Sequence, residues 1–144
     1  MTQFSEDYVK QFTTERGNEP ARSALVIIDM QNATGHPDGP LARKMKAEGN
    51  SVTEWRFERI ATHVIPNTQK LITAMRKAGG RVIYVTIGAA LPDCSDAPIH
   101  MRGFFQSLGN YEGQHAHQII DELAPEPGDP IVRKTSMGAF ASTG

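Results

Sequence analysis

Five consecutive apolar residues, Ala24-Leu25-Val26-Ile27-Ile28, run directly into Asp29-Met30-Gln31-Asn32. An apolar run of that length bounded by polar residues suits a strand buried on both faces, as in a parallel sheet. Asp29 then stands at the strand's carboxyl end, where open α/β sheets form the crevices that take ligands. A strand-end aspartate also serves to cap the following turn. This stretch alone leaves both roles open.

Downstream residues supply the rest of a sheet. Ile65-Pro66-Asn67 predicts the start of a helix with proline in its first turn, and Val64, Thr68, Leu71, Ile72, Met75 and Ala78 fall at the spacing of one buried face. Gly79-Gly80 ends it. Arg81-Val82-Ile83-Tyr84-Val85-Thr86-Ile87 reads as a second buried strand, so strand, helix and strand form a βαβ unit with a right-handed crossover. Gln114 to Leu123 predicts a short helix with Ile119, Ile120 and Leu123 inward. Ile131-Val132-Arg133-Lys134, preceded by Pro130, reads as a third strand. Lys134 therefore holds on the third strand the place that Asp29 holds on the first. The fold class is α/β, a three-layer parallel sheet with helices on both faces.

The segments between these elements look irregular. Residues 1–20 form an N-terminal arm in which Phe4, Tyr8 and Phe12 recur at helical spacing behind Ser5; residues 21–144 belong to one domain. Thr34 to Pro40 is rich in glycine and proline, and the charged stretch Arg43 to Arg59 carries Trp55 and Phe57. Gly88 to Gly113 is punctuated by Pro92, Pro98, Gly103 and Gly109. Both excursions follow the carboxyl ends of strands, where loops commonly shape a pocket, so Trp55 and Phe57 are candidates to line it.

Composition narrows the partners. A 144-residue chain with 39% hydrophobic and 22% charged residues fits one ordinary globular domain, and a net charge of -1 gives no footprint for nucleic acid or a membrane surface. No apolar run approaches the roughly 20 residues of a membrane span, and the start of the chain is polar and acidic, unlike a secretory signal. The expected compartment is the cytoplasm. A single cysteine, Cys94, excludes a disulfide framework within the chain.

Three motifs together carry a resemblance: Val26-Ile27-Ile28-Asp29-Met30-Gln31-Asn32; Val64-Ile65-Pro66-Asn67 through Gly79-Gly80-Arg81-Val82-Ile83-Tyr84-Val85; and Asp121-Glu122-Leu123-Ala124-Pro125-Glu126-Pro127-Gly128-Asp129 followed by Lys134 and Phe140. In order and spacing, from about Ala24 to Thr143, they resemble the isochorismatase-like cysteine hydrolases. Asp121 to Phe140 is most similar to the ureidoacrylate and biuret type amidohydrolases. The resemblance implies an aspartate, lysine and cysteine triad at the ends of adjacent parallel strands. Asp29 matches the aspartate that takes the thiol proton and passes it to the departing amine. Lys134 matches the lysine that holds this carboxylate and favours the thiolate. Gln31 and Asn32 are expected to border the substrate, a small amide or ureido compound, and Trp55 and Phe140 join them as substrate-binding candidates. No cofactor or metal is implied, and homo-oligomers are expected.

The matching cysteine lies beyond Lys134 by a further helix and strand, so the expectation is a fold incomplete at its C-terminal side, with the nucleophile on a missing C-terminal segment or second polypeptide. Cys94, between Asp93 and Asp96 with no helix start nearby, is a poor substitute. Thr135, Ser136 and Ser142 have no histidine beside them in sequence. His115 and His117 form an HxH pair, and Asp96 with His100 lacks the tight spacing of a metal loop; His36 and His63 read as surface residues. Two other classes stay open. One is isochorismatase proper, a vinyl ether hydrolase without a cysteine. The other is a noncatalytic module, whether a relic of this fold or a receiver-like phosphoacceptor, although Met30, Gln31 and Asn32 supply no second acidic residue for Mg²⁺.

Overall fold

The computed structural model describes residues 12, 17, 19–140 and 142. The expected aromatic arm over residues 1–20 falls almost wholly outside the described residues. Three parallel strands form the sheet: β1 (Ala24–Ile28), β2 (Arg81–Ile87) and β3 (Ile131–Lys134), with β2 in the centre. Leu25 lies opposite Val82 and Ile27 opposite Tyr84; on the other side of β2, Tyr84 lies opposite Ile131 and Ile87 opposite Lys134. The ladders run one residue past the strands, through Asp29 N–H to the Val85 carbonyl and Gly88 N–H to that of Lys134.

Between β1 and β2 the chain makes α1 (Pro40–Ala47), then α2 (Glu54–Arg59), a π-helical turn (Ile60–Val64) and α3 (Ile65–Lys77) in one run. The α-helix expected to begin at Ile65 does so, and the π-helical turn and α2 extend the same run back to Glu54. Pro66 has no N–H for the carbonyl four residues back, which would break an ordinary helix; the wide turn, closed by Ile65 N–H on the Ile60 carbonyl, carries the helix past it. The buried face is set by Ile65 and Ile72, with Met75 partly covered, while Val64 and Leu71, expected inward, are exposed.

Ile65 and Ile72 pack with Leu25, Ile27, Val82 and Tyr84 on one face of the sheet, and Ile119, Ile120 and Leu123 complete that core. The last three are inward as expected, but their segment is no α-helix. It consists of two 3₁₀ turns, His115–His117 and Asp121–Leu123, around an extended stretch zipped to the chain after β1, with Asn32 N–H on the Gln118 carbonyl and Ile120 N–H on that of Met30. Those backbone bonds outside a helix satisfy the groups a helix would have used.

The opposite face is covered at its carboxyl end by α4 (Ile99–Leu108), whose Phe105 packs with Ile87, Ala89, Cys94 and Ala97. This helix lies in a segment expected to be irregular. Farther back on that face Val26 and Ile28 remain 46% and 55% exposed, so β1 is buried on one face and not on both.

Candidate active site

Asp29 follows β1 in a left-handed conformation, φ +58°, which the short polar side chain of aspartate tolerates better than most. Lys134 ends β3 and is 2% exposed. Its Nζ donates to Asp29 Oδ2 at 3.0 Å and to the Met137 carbonyl at 3.2 Å. Asp29 Oδ1 is buried and accepts no hydrogen bond among the described residues, although the side chain as a whole is 34% exposed. A buried ammonium is costly unless neutralised, and this carboxylate neutralises it. The structure thus brings the two expected residues together, with one carboxylate oxygen committed to Lys134 and the other unpartnered among the described residues.

Lys134 is fixed from both sides of its strand. Arg76 on α3 forks onto Glu126, at 2.7 Å, and onto Asp129, holding the turn that feeds β3. After the strand, Thr135 N–H donates to the Ser142 carbonyl, Ser136 Oγ donates to Ser142 Oγ at 2.7 Å, and Ser142 donates to the Gly138 carbonyl. These hydroxyls bond one another and the backbone.

Gln31 and Asn32, expected beside the substrate, are buried and hold the scaffold. Gln31 Oε1 accepts Ile87 N–H at 2.7 Å and its Nε2 donates to the His117 carbonyl at 2.6 Å. Asn32 Nδ2 donates to the carbonyls of His115 and Ile119. An amide committed to buried backbone groups has little left for a ligand. Trp55 and Phe140 stand exposed, while Phe57 is buried with Leu41 and Leu108. Among the described residues no hydrogen bond or ion pair joins Trp55, Phe57 or Phe140 to the Asp29–Lys134 pair, and Gln31 meets it only through its backbone N–H on the Asp29 carbonyl.

Asn110, which the sequence did not single out, and His117 of the HxH pair join Gln31. Asn110 is fully buried, with Oδ1 2.9 Å from His117 Nδ1 and 3.3 Å from Gln31 Nε2. Burial pushes the His117 pKa down, and the nearby Arg133 pushes it further. His115 instead faces Asp121 at 3.2 Å, so the HxH rings diverge. The only sequence signal for Asn110 was its place just after Gly109.

Cys94 is fully buried. Burial pushes its thiol pKa up, and the carboxylates of Asp96 and Asp93 add to this, the reverse of what a nucleophile needs. Asp96 itself folds the loop after β2, accepting N–H from Ala90 and Leu91 and lying 3.7 Å from Arg133.

Residues 23–144 match the isochorismatase domain. Among solved structures, a cysteine hydrolase from Pseudomonas syringae pv. phaseolicola is 26% identical with a TM-score of 0.63, over 86% of this chain and 51% of its own. An isochorismatase family protein from Desulfovibrio vulgaris is 28% identical with a TM-score of 0.61, over 83% and 56%. N-carbamoylsarcosine amidase from Thermoplasma acidophilum is 25% identical with a TM-score of 0.51, over 83% and 56%. The fold and the match define a parallel α/β domain of the isochorismatase type. The chain belongs to the isochorismatase family, and it spans about half the length of these solved relatives.

Proposed function

We propose that this chain carries the aspartate and lysine of a cysteine-dependent amidohydrolase that splits a carbon–nitrogen bond in a small amide or ureido compound. One observation carries the reading: Lys134, nearly without solvent contact, grips one oxygen of Asp29 and leaves the other, also buried, without a partner among the described residues. Such a carboxylate is poised to take a proton. The similarity to a cysteine hydrolase and to an N-carbamoylsarcosine amidase supports the choice of nucleophile and bond. The burial of Cys94 and its raised thiol pKa support a nucleophile supplied by other residues than Cys94.

In this mechanism Asp29 Oδ1 takes the proton of the thiol as sulfur attacks the carbonyl carbon. Lys134 holds the carboxylate in place and its charge favours the thiolate. Collapse of the tetrahedral adduct breaks the C–N bond, and the protonated Asp29 delivers its proton to the departing nitrogen. Water then adds to the thioester, giving a proton to Asp29, and the C–S bond breaks as that proton returns to sulfur. The balance is amide plus water to acid plus amine. The working form is taken to be a cytoplasmic homo-oligomer.

The complete protein, carrying whatever polypeptide accompanies this chain, should be offered N-carbamoyl amino acids, simple primary amides and isochorismate. Release of ammonia or amine, blocked by iodoacetamide, is the expected result. Turnover of isochorismate alone, insensitive to alkylation, would replace this reading with vinyl ether hydrolysis.

A further inference from the structure

The sheet carries a cavity on the face turned away from Lys134. The register sets Thr86 opposite Arg133 and Ile87 opposite Lys134, so Thr86 and Arg133 share the face of Tyr84 and Ile131 while Lys134 lies on the other. Between that face and the chain from His117 to Pro125 lies a space of about 370 Å³, walled by Ile119, Ala124, Pro125 and Ile131 and lined also by Thr86 and His117. That is the size of a small-molecule pocket. Ile131 is 55% exposed, so the apolar wall is not covered by the chain itself.

The hydrogen-bond network fixes what His117 offers there. Ile87 N–H can only donate, so the Gln31 atom 2.7 Å from it is Oε1, and the other end of that amide is the donor Nε2. The Asn110 atom 3.3 Å from Nε2 is then the acceptor Oδ1. The same Oδ1 lies 2.9 Å from His117 Nδ1, which has to donate to it. His117 is thereby held as the Nδ1–H tautomer, and burial together with the charge of Arg133 keeps its ring neutral. Its Nε2 is left as a bare acceptor. Nδ1 and Cε1 pack against Gly88, where a Cβ would stand 2.5 and 2.7 Å from them, so the Nε2–Cδ2 edge turns the other way. Thr86 is 3% exposed. Among the described residues neither its hydroxyl nor His117 Nε2 has a hydrogen bond, and the two do not bond each other.

We infer that this cavity is a binding site for a small, largely apolar molecule whose polar group is a hydroxyl, as in a phenol: the hydroxyl donates to His117 Nε2 and accepts from Thr86, and the ring lies against Ile119, Pro125 and Ile131. A carboxylate fits less well. It would turn its lone pairs onto that of Nε2, and Asp121 on the cavity wall repels it. Arg133 does not offset this, being set between Asp96 at 3.7 Å and Glu112 at 4.0 Å. A pure hydrocarbon leaves the Thr86 hydroxyl and Nε2 both unpaired. The site lies across the sheet from Lys134 and stands whatever bond Asp29 helps to cleave.

The test is titration of the complete protein with phenol and with anisole, which keeps the ring and the oxygen but has no proton to donate, followed by calorimetry and by nitrogen NMR of the His117 imidazole. The free protein should show Nδ1 protonated and Nε2 bare. Saturating phenol should move the Nε2 resonance in the direction of an accepted hydrogen bond, and anisole should bind about 10-fold or more weakly. Ala124→Phe fills the cavity from an exposed position and should abolish phenol binding. Thr86→Val, of nearly the same shape, should weaken phenol about fivefold, with the rest of the spectrum unchanged. Equal binding of phenol and anisole would overturn the inference. So would an Nε2–H tautomer in the free protein, the lack of saturable phenol binding, or binding that survives Ala124→Phe.

Discussion

Asp29 and Lys134 meet from opposite faces of the strand register. Continuing the pairing past Ile28 and Val85 sets position 29 on the face of Ile27 and Tyr84, whereas Lys134 lies opposite Ile87, on the face of Val85 and Ile28. They form a 3.0 Å hydrogen bond because Asp29 has left the strand alternation, at φ +58°. The left-handed residue is thus the device that assembles the pair, and its strain costs on the order of 1 kcal/mol.

The two halves of the pair are unequal. Removing the carboxylate in Asp29→Ala leaves a buried ammonium with one backbone carbonyl, and also puts alanine at positive φ, so a loss of about 3–5 kcal/mol is expected. Lys134→Met keeps the buried stem's volume and leaves a carboxylate that is partly reached by water, so the loss should be nearer 1–3 kcal/mol. Urea unfolding of the two variants checks the order; equal losses would mean that the ammonium is not held chiefly by Asp29.

Gln31 ties β1, β2 and the 110–117 segment through its one amide. Gln31→Leu strands the Ile87 N–H and the His117 carbonyl in the interior, and a loss of roughly 2–4 kcal/mol follows, from about 1–3 kcal/mol for each stranded group with partial relaxation. Chemical denaturation measures it. A neutral substitution would return Gln31 to the substrate-facing role expected from sequence.

His117 sets a pH dependence. Its pKa is lowered in the fold, so the unfolded chain binds the extra proton first as pH falls. The stabilisation is complete above the ordinary histidine value near 6.5 and is lost as pH drops from there toward the folded value. Unfolding free energy measured from pH 8 to 5 should fall in that window. His117→Gln should flatten this part of the profile relative to the wild type.

Cys94 is packed among Ile87, Ala89, Ala97 and Phe105 with its thiol pKa raised. Cys94→Ala is expected to keep turnover of the complete protein within about twofold, with a stability cost of about 1 kcal/mol. Loss of turnover with the fold intact would make Cys94 the nucleophile after all.

The sequence made the strands and the pair legible for a simple reason: uninterrupted β-branched runs ending in a charge have few alternatives. The helix Ile99–Leu108 was hidden because its boundaries looked like breaks. Pro98 is its N-cap and Gly109, at φ +63°, its C-cap. Gln114 to Leu123 misled in the other direction, since Ile119, Ile120 and Leu123 have to be inward under either backbone, and only long-range pairing with Met30 and Asn32 decides it. For Gln31 and Asn32 the motif carried no sign of their backbone partners, which lie more than 50 residues away. Local pattern carries no information at that range.

The central claim, that Asp29 moves the protons of the reaction, is tested most directly by the steady-state rate of the complete protein carrying Asp29→Asn. Asparagine keeps the shape and tolerates the left-handed backbone, so the fold should persist while the proton acceptor is gone. A fall in kcat of about 10²–10⁴ with KM nearly unchanged is the predicted result. A rate equal to the wild type's, on a substrate whose turnover is blocked by alkylation, would contradict the account.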